Sequence, residues 1–226
     1  MPSSIPKFQH PNSPLLKVCG MREPDNIKAL LELGLDFMGF IFYEKSARNI
    51  DDIALDEIAD VIDNQYDVNK VGVFVNSNLE TILAKNSLLS LDCIQLHGQE
   101  SPGFCLQVKA QGFKVIKAFS VGSAFDFSQL KAYEKVCDYF LFDTKGKLPG
   151  GNGFQFDWSI LAEYSGELPF FLSGGIDANS VAKIQGFWHP KLFAIDVNSG
   201  FELAPALKDV KKIENFKYQY SNTKTI

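Results

Sequence analysis

The chain has 226 residues, 46% of them hydrophobic and 22% charged. That balance excludes a disordered, collagenous or membrane-embedded polymer and supplies enough apolar side chain for a core without staples. Lys and Arg total 22 against 27 Asp and Glu, a net charge of −5, which argues against a general binder of nucleic acid or of an anionic membrane but leaves room for a local pocket for a small anion.

The first fourteen residues hold several prolines among polar side chains and read as a flexible arm. They lack the apolar h-region of a signal peptide and the arginines of a transit peptide, and no long apolar run follows, so a cytoplasmic chain without a membrane span is expected. Cys19, Cys93, Cys105 and Cys137 are far apart, form no CxxC and lie mostly in or beside apolar runs. They read as reduced thiols, with no zinc site and no disulfide framework.

From Leu15 onward short apolar or β-branched runs recur: Leu15–Cys19, Phe37–Phe42, Lys70–Val75, Cys93–Leu96, Lys114–Phe119, Tyr139–Phe142, Pro169–Leu172 and Leu192–Val197. Each is too short for a helix, and several are apolar on both faces, as parallel strands covered by helices are. Helical periodicity lies between them. Ile27, Leu30, Leu31 and Gly34 share one face, as do Leu55, Ile58, Ala59 and Ile62. Ser77 to Glu80 reads as a capping box, Ser101-Pro102 as a cap with proline at the first helical position, and Asp177 as the cap of a helix carrying Val181 and Ile184. The weakest helical pattern lies between Phe119 and Tyr139. A last helix is expected from about Leu207 to Phe216, with a polar tail from residue 218. Eight strand–helix alternations without a linker predict one α/β domain over 15–217, a (β/α)8 TIM barrel. An open doubly wound sheet competes less well, because no GxGxxG opens the first helix.

Polar residues crowd one end of these runs, and in such a barrel the C-terminal strand ends carry the chemistry. Ser173-Gly-Gly175 and Asn198-Ser-Gly200 follow strands seven and eight, where close backbone approach and free N–H groups suit a phosphate; tight turns alone are the plainer alternative. By strand alternation Cys19, Asp143 and Asp196 face the barrel mouth. A thiolate and a carboxylic acid there could serve as base and acid, though a base role needs a neighbour that lowers the thiol pKa. A packed core thiol and a loop-bonded aspartate are equally compatible with composition and spacing. His97 reads either as a site residue or as a strand-end histidine with a backbone partner. His10 and His189 flank prolines and read as non-functional. The glycine-rich loop from Lys145 to Gly153 suits a lid.

The same residues carry a resemblance. Lys17-Val-Cys-Gly20, Gly39 to Arg48, Val71-Gly-Val-Phe-Val-Asn76, Ile94-Gln-Leu-His-Gly98, Phe142-Asp-Thr144, Gly150 to Phe154, Phe156-Asp-Trp158, Leu172-Ser-Gly-Gly175 and Ile195 to Glu202 occur in the order found in phosphoribosylanthranilate isomerases. The resemblance covers about Leu15 to Phe216. It implies a (β/α)8 barrel of tryptophan biosynthesis that needs no metal or organic cofactor and acts as a monomer or homodimer. Its substrate would be N-(5′-phosphoribosyl)anthranilate, rearranged to the 1-deoxyribulose phosphate. It further implies Cys19 as general base, Asp143 as general acid, and Arg48 as the fork for the anthranilate carboxylate. Gly174, Gly175, Ser199 and Gly200 would form the phosphate cradle, with His97 and Asp196 as polar neighbours of the substrate. Ala47, Asn152 and Asn198 depart from the usual proline, small hydroxyl residue and serine. A related isomerase of histidine biosynthesis and a non-catalytic phosphate-binding barrel are the alternatives.

Overall fold

The computed structural model describes residues 14–50, 52–62, 66–144 and 157–221. The N-terminal arm through residue 13, the loop over 145–156 and the last five residues lie outside these. Eight parallel strands close into a barrel in chain order: β1 (Leu15–Cys19), β2 (Phe37–Phe42), β3 (Asn69–Phe74), β4 (Cys93–Leu96), β5 (Lys114–Val121), β6 (Tyr139–Thr144), β7 (Phe170–Leu172) and β8 (Leu192–Val197). The expected (β/α)8 architecture is therefore present. β1 pairs with both β2 and β8, which closes the sheet.

Two apolar layers result from strand alternation. The inward side chains include Phe37, Val71, Val73, Cys93, Tyr139, Leu141, Phe171 and Phe193, and they fill the barrel. Phe37 meets Phe171 edge-on at 5.3 Å and Tyr139 stacks on Phe193 at 4.8 Å. The register of β7 on β8 shifts after Phe170, so that Phe193 and Ala194 both turn inward before alternation resumes at Asp196. The outward residues pack under the helices α1 (Pro24–Leu31), α2 (Asp52–Val61), α3 (Leu79–Leu89), α4 (Pro102–Lys109), α5 (Val181–Gly186) and α6 (Val210–Ser221).

Several local readings change. After β5 and after β6 the connection is a 3-10 turn, Phe127–Ala132 and Trp158–Glu163, not an α-helix. Aromatic rings occupy the layer there: Phe119 meets Phe140 and Tyr133, Phe127 meets Phe142, and Tyr164 meets Phe142 and Phe170, at centroid distances of 5.2 to 6.1 Å. The N-cap of α3 is Asn78, whose Oδ1 accepts from the Thr81 N–H at 2.8 Å, one residue beyond the expected serine. Asp177 caps a short 3-10 turn that leads into α5 and forms a capping box with Ser180. Leu207 begins not a helix but a two-residue strand, β10 (Leu207–Lys208), paired antiparallel with β9 (Glu202–Ala204). The last helix runs on past Phe216 to Ser221 because Tyr220 is buried on it.

Candidate active site

The C-terminal rim gathers its polar groups from six strand ends. On β1, Cys19 is buried on the interior face opposite Gly39 of β2. A Cβ at Gly39 would lie 2.7 Å from Cys19 Sγ, so glycine makes room for the thiol. Lys17, two residues earlier on the same face, is completely buried. Its Nζ donates to Asp196 Oδ1 at 2.8 Å, and Ser173 Oγ donates to Asp196 Oδ2 at 3.2 Å. Burial pushes the Cys19 thiol up, and Lys17 opposes that rise.

Asp143, near the end of β6, is buried and faces His97. The Gln95 side-chain amide meets His97 Nδ1 at 2.9 Å, and His97 Nε2 lies 3.5 Å from Asp143 Oδ2. The turn carrying His97 is itself clamped. Lys117 Nζ donates to the carbonyls of Leu96, Gly98 and Ala118 at 2.9 to 3.1 Å and pairs with Glu100 at 3.2 Å. Glu100 in turn accepts from the N–H groups of Asn76 and Gly98.

Arg48 follows β2 and is held by Glu202 in a bidentate pair, Nε at 2.8 Å and Nη2 at 2.6 Å. Lys208 Nζ reaches the same carboxylate at 2.6 Å and Asn198 Oδ1 at 2.8 Å. The Asn26 amide fixes the Lys208 backbone in both directions. Burial pushes the Lys208 ammonium down against the pull of Glu202.

The two glycine turns meet. Gly174 and Gly175 have φ of +90° and +65°, a left-handed path that favours glycine. A Cβ at Gly200 would fall 2.2 Å from the Ile176 carbonyl oxygen, so the turn after β8 lies directly against the turn after β7. Ser199 opens the 3-10 turn beside it.

The predicted residues Cys19, Asp143, Arg48, His97, Asp196, Gly174, Gly175, Ser199 and Gly200 thus all stand on one end of one barrel. Sequence reading did not assign Lys17, Gln95, Lys117, Glu100, Glu202 or Lys208 to the site. A charged side chain inside a run otherwise apolar was the available signal for Lys17 and Lys117. His189 is structural: its Nδ1 accepts from the Lys191 N–H and its Nε2 meets the Tyr164 carbonyl. Among the described residues no three His, Cys, Asp or Glu side chains are grouped to hold a metal ion, and no helix is long and apolar enough to cross a membrane.

The family model described as N-(5′-phosphoribosyl)anthranilate (PRA) isomerase matches residues 16–219. The chain belongs to this isomerase family. As a PRA isomerase family member it is an enzyme. It is 46% identical over 205 residues to the N-(5′-phosphoribosyl)anthranilate isomerase of Parabacteroides distasonis, covering 91% of this chain and 92% of that one. It is also 46% identical over 202 residues to that of Phocaeicola vulgatus, covering 89% and 95%. Among solved structures it is similar to the phosphoribosylanthranilate isomerase of Thermotoga maritima, with TM-score 0.80 and 32% identity over 92% of this chain and 99% of that one. A PRA isomerase in complex with reduced 1-(o-carboxyphenylamino)-1-deoxyribulose 5-phosphate aligns with TM-score 0.76 at 32% identity, covering 92% and 97%.

Proposed function

We propose that this chain isomerises N-(5′-phosphoribosyl)anthranilate to 1-(2-carboxyphenylamino)-1-deoxyribulose 5-phosphate in tryptophan biosynthesis, with Asp143 as general acid and Cys19 as general base. The observation that carries the reading is the shared rim. A thiol on β1, a carboxyl on β6 and two abutting glycine turns after β7 and β8 all stand at the C-terminal end of one barrel. Asp143 gives its proton to the ring oxygen, the C1′–O4′ bond breaks, and the anthranilate nitrogen's lone pair forms the Schiff base. The Cys19 thiolate then takes the proton from C2′, and the electrons of that bond give the enolamine, which tautomerises to the ketone. Arg48 receives the anthranilate carboxylate on the guanidinium edge that Glu202 leaves open, and the glycine turns with Ser199 offer donors to the phosphate. His97 borders the substrate beside Asp143. The reaction calls for no metal or organic cofactor and suits a cytoplasmic enzyme.

The assay is the loss of fluorescence when freshly made substrate meets the purified chain. A flat trace at high enzyme concentration removes the assignment. Cys19→Ser and Asp143→Asn are each expected to lower kcat by about 10²- to 10⁴-fold while a phosphate-bearing product analogue still binds. Turnover undiminished in both variants sinks the acid–base roles.

A further inference from the structure

A buried ammonium is costly unless its neighbours match its charge. Lys17 is fully buried, and Asp196, itself bonded by Ser173, is its partner on one side. Its neighbour on the same inward face is the buried Cys19, two residues further along β1, whose charge acts on it. The ammonium therefore stands between a carboxylate and a thiol. Both oxygens of Asp196 are engaged within the protein, so that carboxylate holds the lysine.

The charged groups around the thiol come from five parts of the barrel rim. Lys17 favours the thiolate from β1 and Lys208 from β10, while Asp196 opposes it from β8. Arg48 acts from the loop after β2, its charge matched by Glu202. Asp143 projects from the interior face of β6. Of these, Lys17 shares the strand and the inward face of the sulfur, two residues away, and it is the largest charge acting on the thiol.

We propose that Lys17 is a positioning residue for the reaction: its ammonium, oriented by Asp196 and Ser173, stabilises the Cys19 thiolate that removes the C2′ proton. The thiol loses its proton to solvent before the chemistry and gains the one from C2′ during it. Lys17 keeps its three protons throughout and touches no substrate atom. Low dielectric strengthens the attraction, so one nearby cation inside the barrel does what an exposed one could not. The catalytic half of this inference rests on Cys19 being the base, as proposed above; the lysine–thiol coupling does not.

The test is a titration of the thiolate by its ultraviolet absorbance, each protein measured against its Cys19→Ser counterpart. In Lys17→Met the Cys19 midpoint is expected to move upward by about one unit or more, leaving roughly tenfold less thiolate below it. The acid limb of the kcat profile moves up with it. Lys17→Met leaves Asp196 buried without its cation and could fail to fold, so Lys17→Met/Asp196→Asn, which removes both charges, is the companion. Its midpoint is also expected above that of the unmutated protein, because Lys17 outweighs Asp196 at the sulfur. A midpoint unchanged in the folded double variant overturns the proposal, even if stability falls. The titration uses no substrate, so that result would leave the base role standing. Full turnover by Cys19→Ser would instead remove the base role, and with it the catalytic half, while a lysine-dependent titration persisted.

Discussion

Glu202 stands between two cations, and its carboxylate holds both Arg48 and Lys208 on the rim. Burial pushes its carboxyl up, but Arg48 and Lys208 outweigh that and hold it below the usual carboxylate range. A depressed folded value contributes stability that is complete above the ordinary carboxylate pKa and is lost as pH falls through the depressed value. Glu202→Gln is therefore expected to lower Tm at neutral pH, and the gap to the unmutated protein should narrow as pH falls below the ordinary carboxylate range. Thermal melts across that range check it; a gap constant with pH contradicts the ionic role. The same variant should raise KM, since Arg48 loses the fork that aims it. At this scale the rim position of Cys19, Asp143, Arg48 and His97 was legible because polar groups at strand ends stand out, while their roles were not. Lys17 was not legible as a site group, because a lysine on a strand can also snorkel to solvent. Its partner Asp196 lies 179 residues away, and no local pattern announces such a pair.

The strands were the most readable elements. β1, β2, β4 and β8 span the same residues as their apolar runs, since parallel strands covered on both faces leave continuous hydrophobic stretches. The connections were less readable because their form depends on what fills the space beneath them. Around β5, β6 and β7 that space is taken by Phe119, Phe140, Phe142 and Tyr164, and short 3-10 turns suffice to cover it. The turn after β4 shows how one element is set by another. Lys117 of β5 satisfies the Leu96 and Gly98 carbonyls of that turn, the Ala118 carbonyl of its own strand and the Glu100 carboxylate, with the ion pair nearly fully buried. Lys117→Met leaves the carboxylate without its cation and the carbonyls without their donor, and should cost about 3–5 kcal/mol. Lys117→Met/Glu100→Gln should recover part of that loss. Chemical denaturation of both proteins reads the difference. A single variant as stable as the double would mean that the pair does not hold the His97 turn.

At the scale of the whole molecule the two ends of the barrel divide the labour. The lower interior is closed by rings such as Phe37, Tyr139, Phe171 and Phe193, and the buried charges gather towards the opposite rim. α6, the last helix, is tied to the entrance of the first strand. Phe216 stacks on Tyr220 at 5.8 Å and meets Phe201 of the rim at 4.9 Å, while the Tyr220 hydroxyl donates to the Pro14 carbonyl at the entrance to β1. Burial pushes the Tyr220 phenol up, so it remains a neutral donor. The segment from residue 218 reads as a polar tail because Tyr220 sits among Gln, Ser, Asn and Thr, yet one buried ring is enough to carry the helix on to Ser221. Tyr220→Ala is expected to cost about 3 kcal/mol, the scale for losing a buried aromatic side chain. Tyr220→Phe keeps the ring and should cost only about 1 kcal/mol for the hydrogen bond. Neither should change kcat where the protein stays folded, because the ring touches no reacting group. Denaturation midpoints and kcat measured together decide it. A kcat lost in step with stability would mean that closure between α6 and β1 governs the geometry of the rim, and that the two ends of the barrel are not separable.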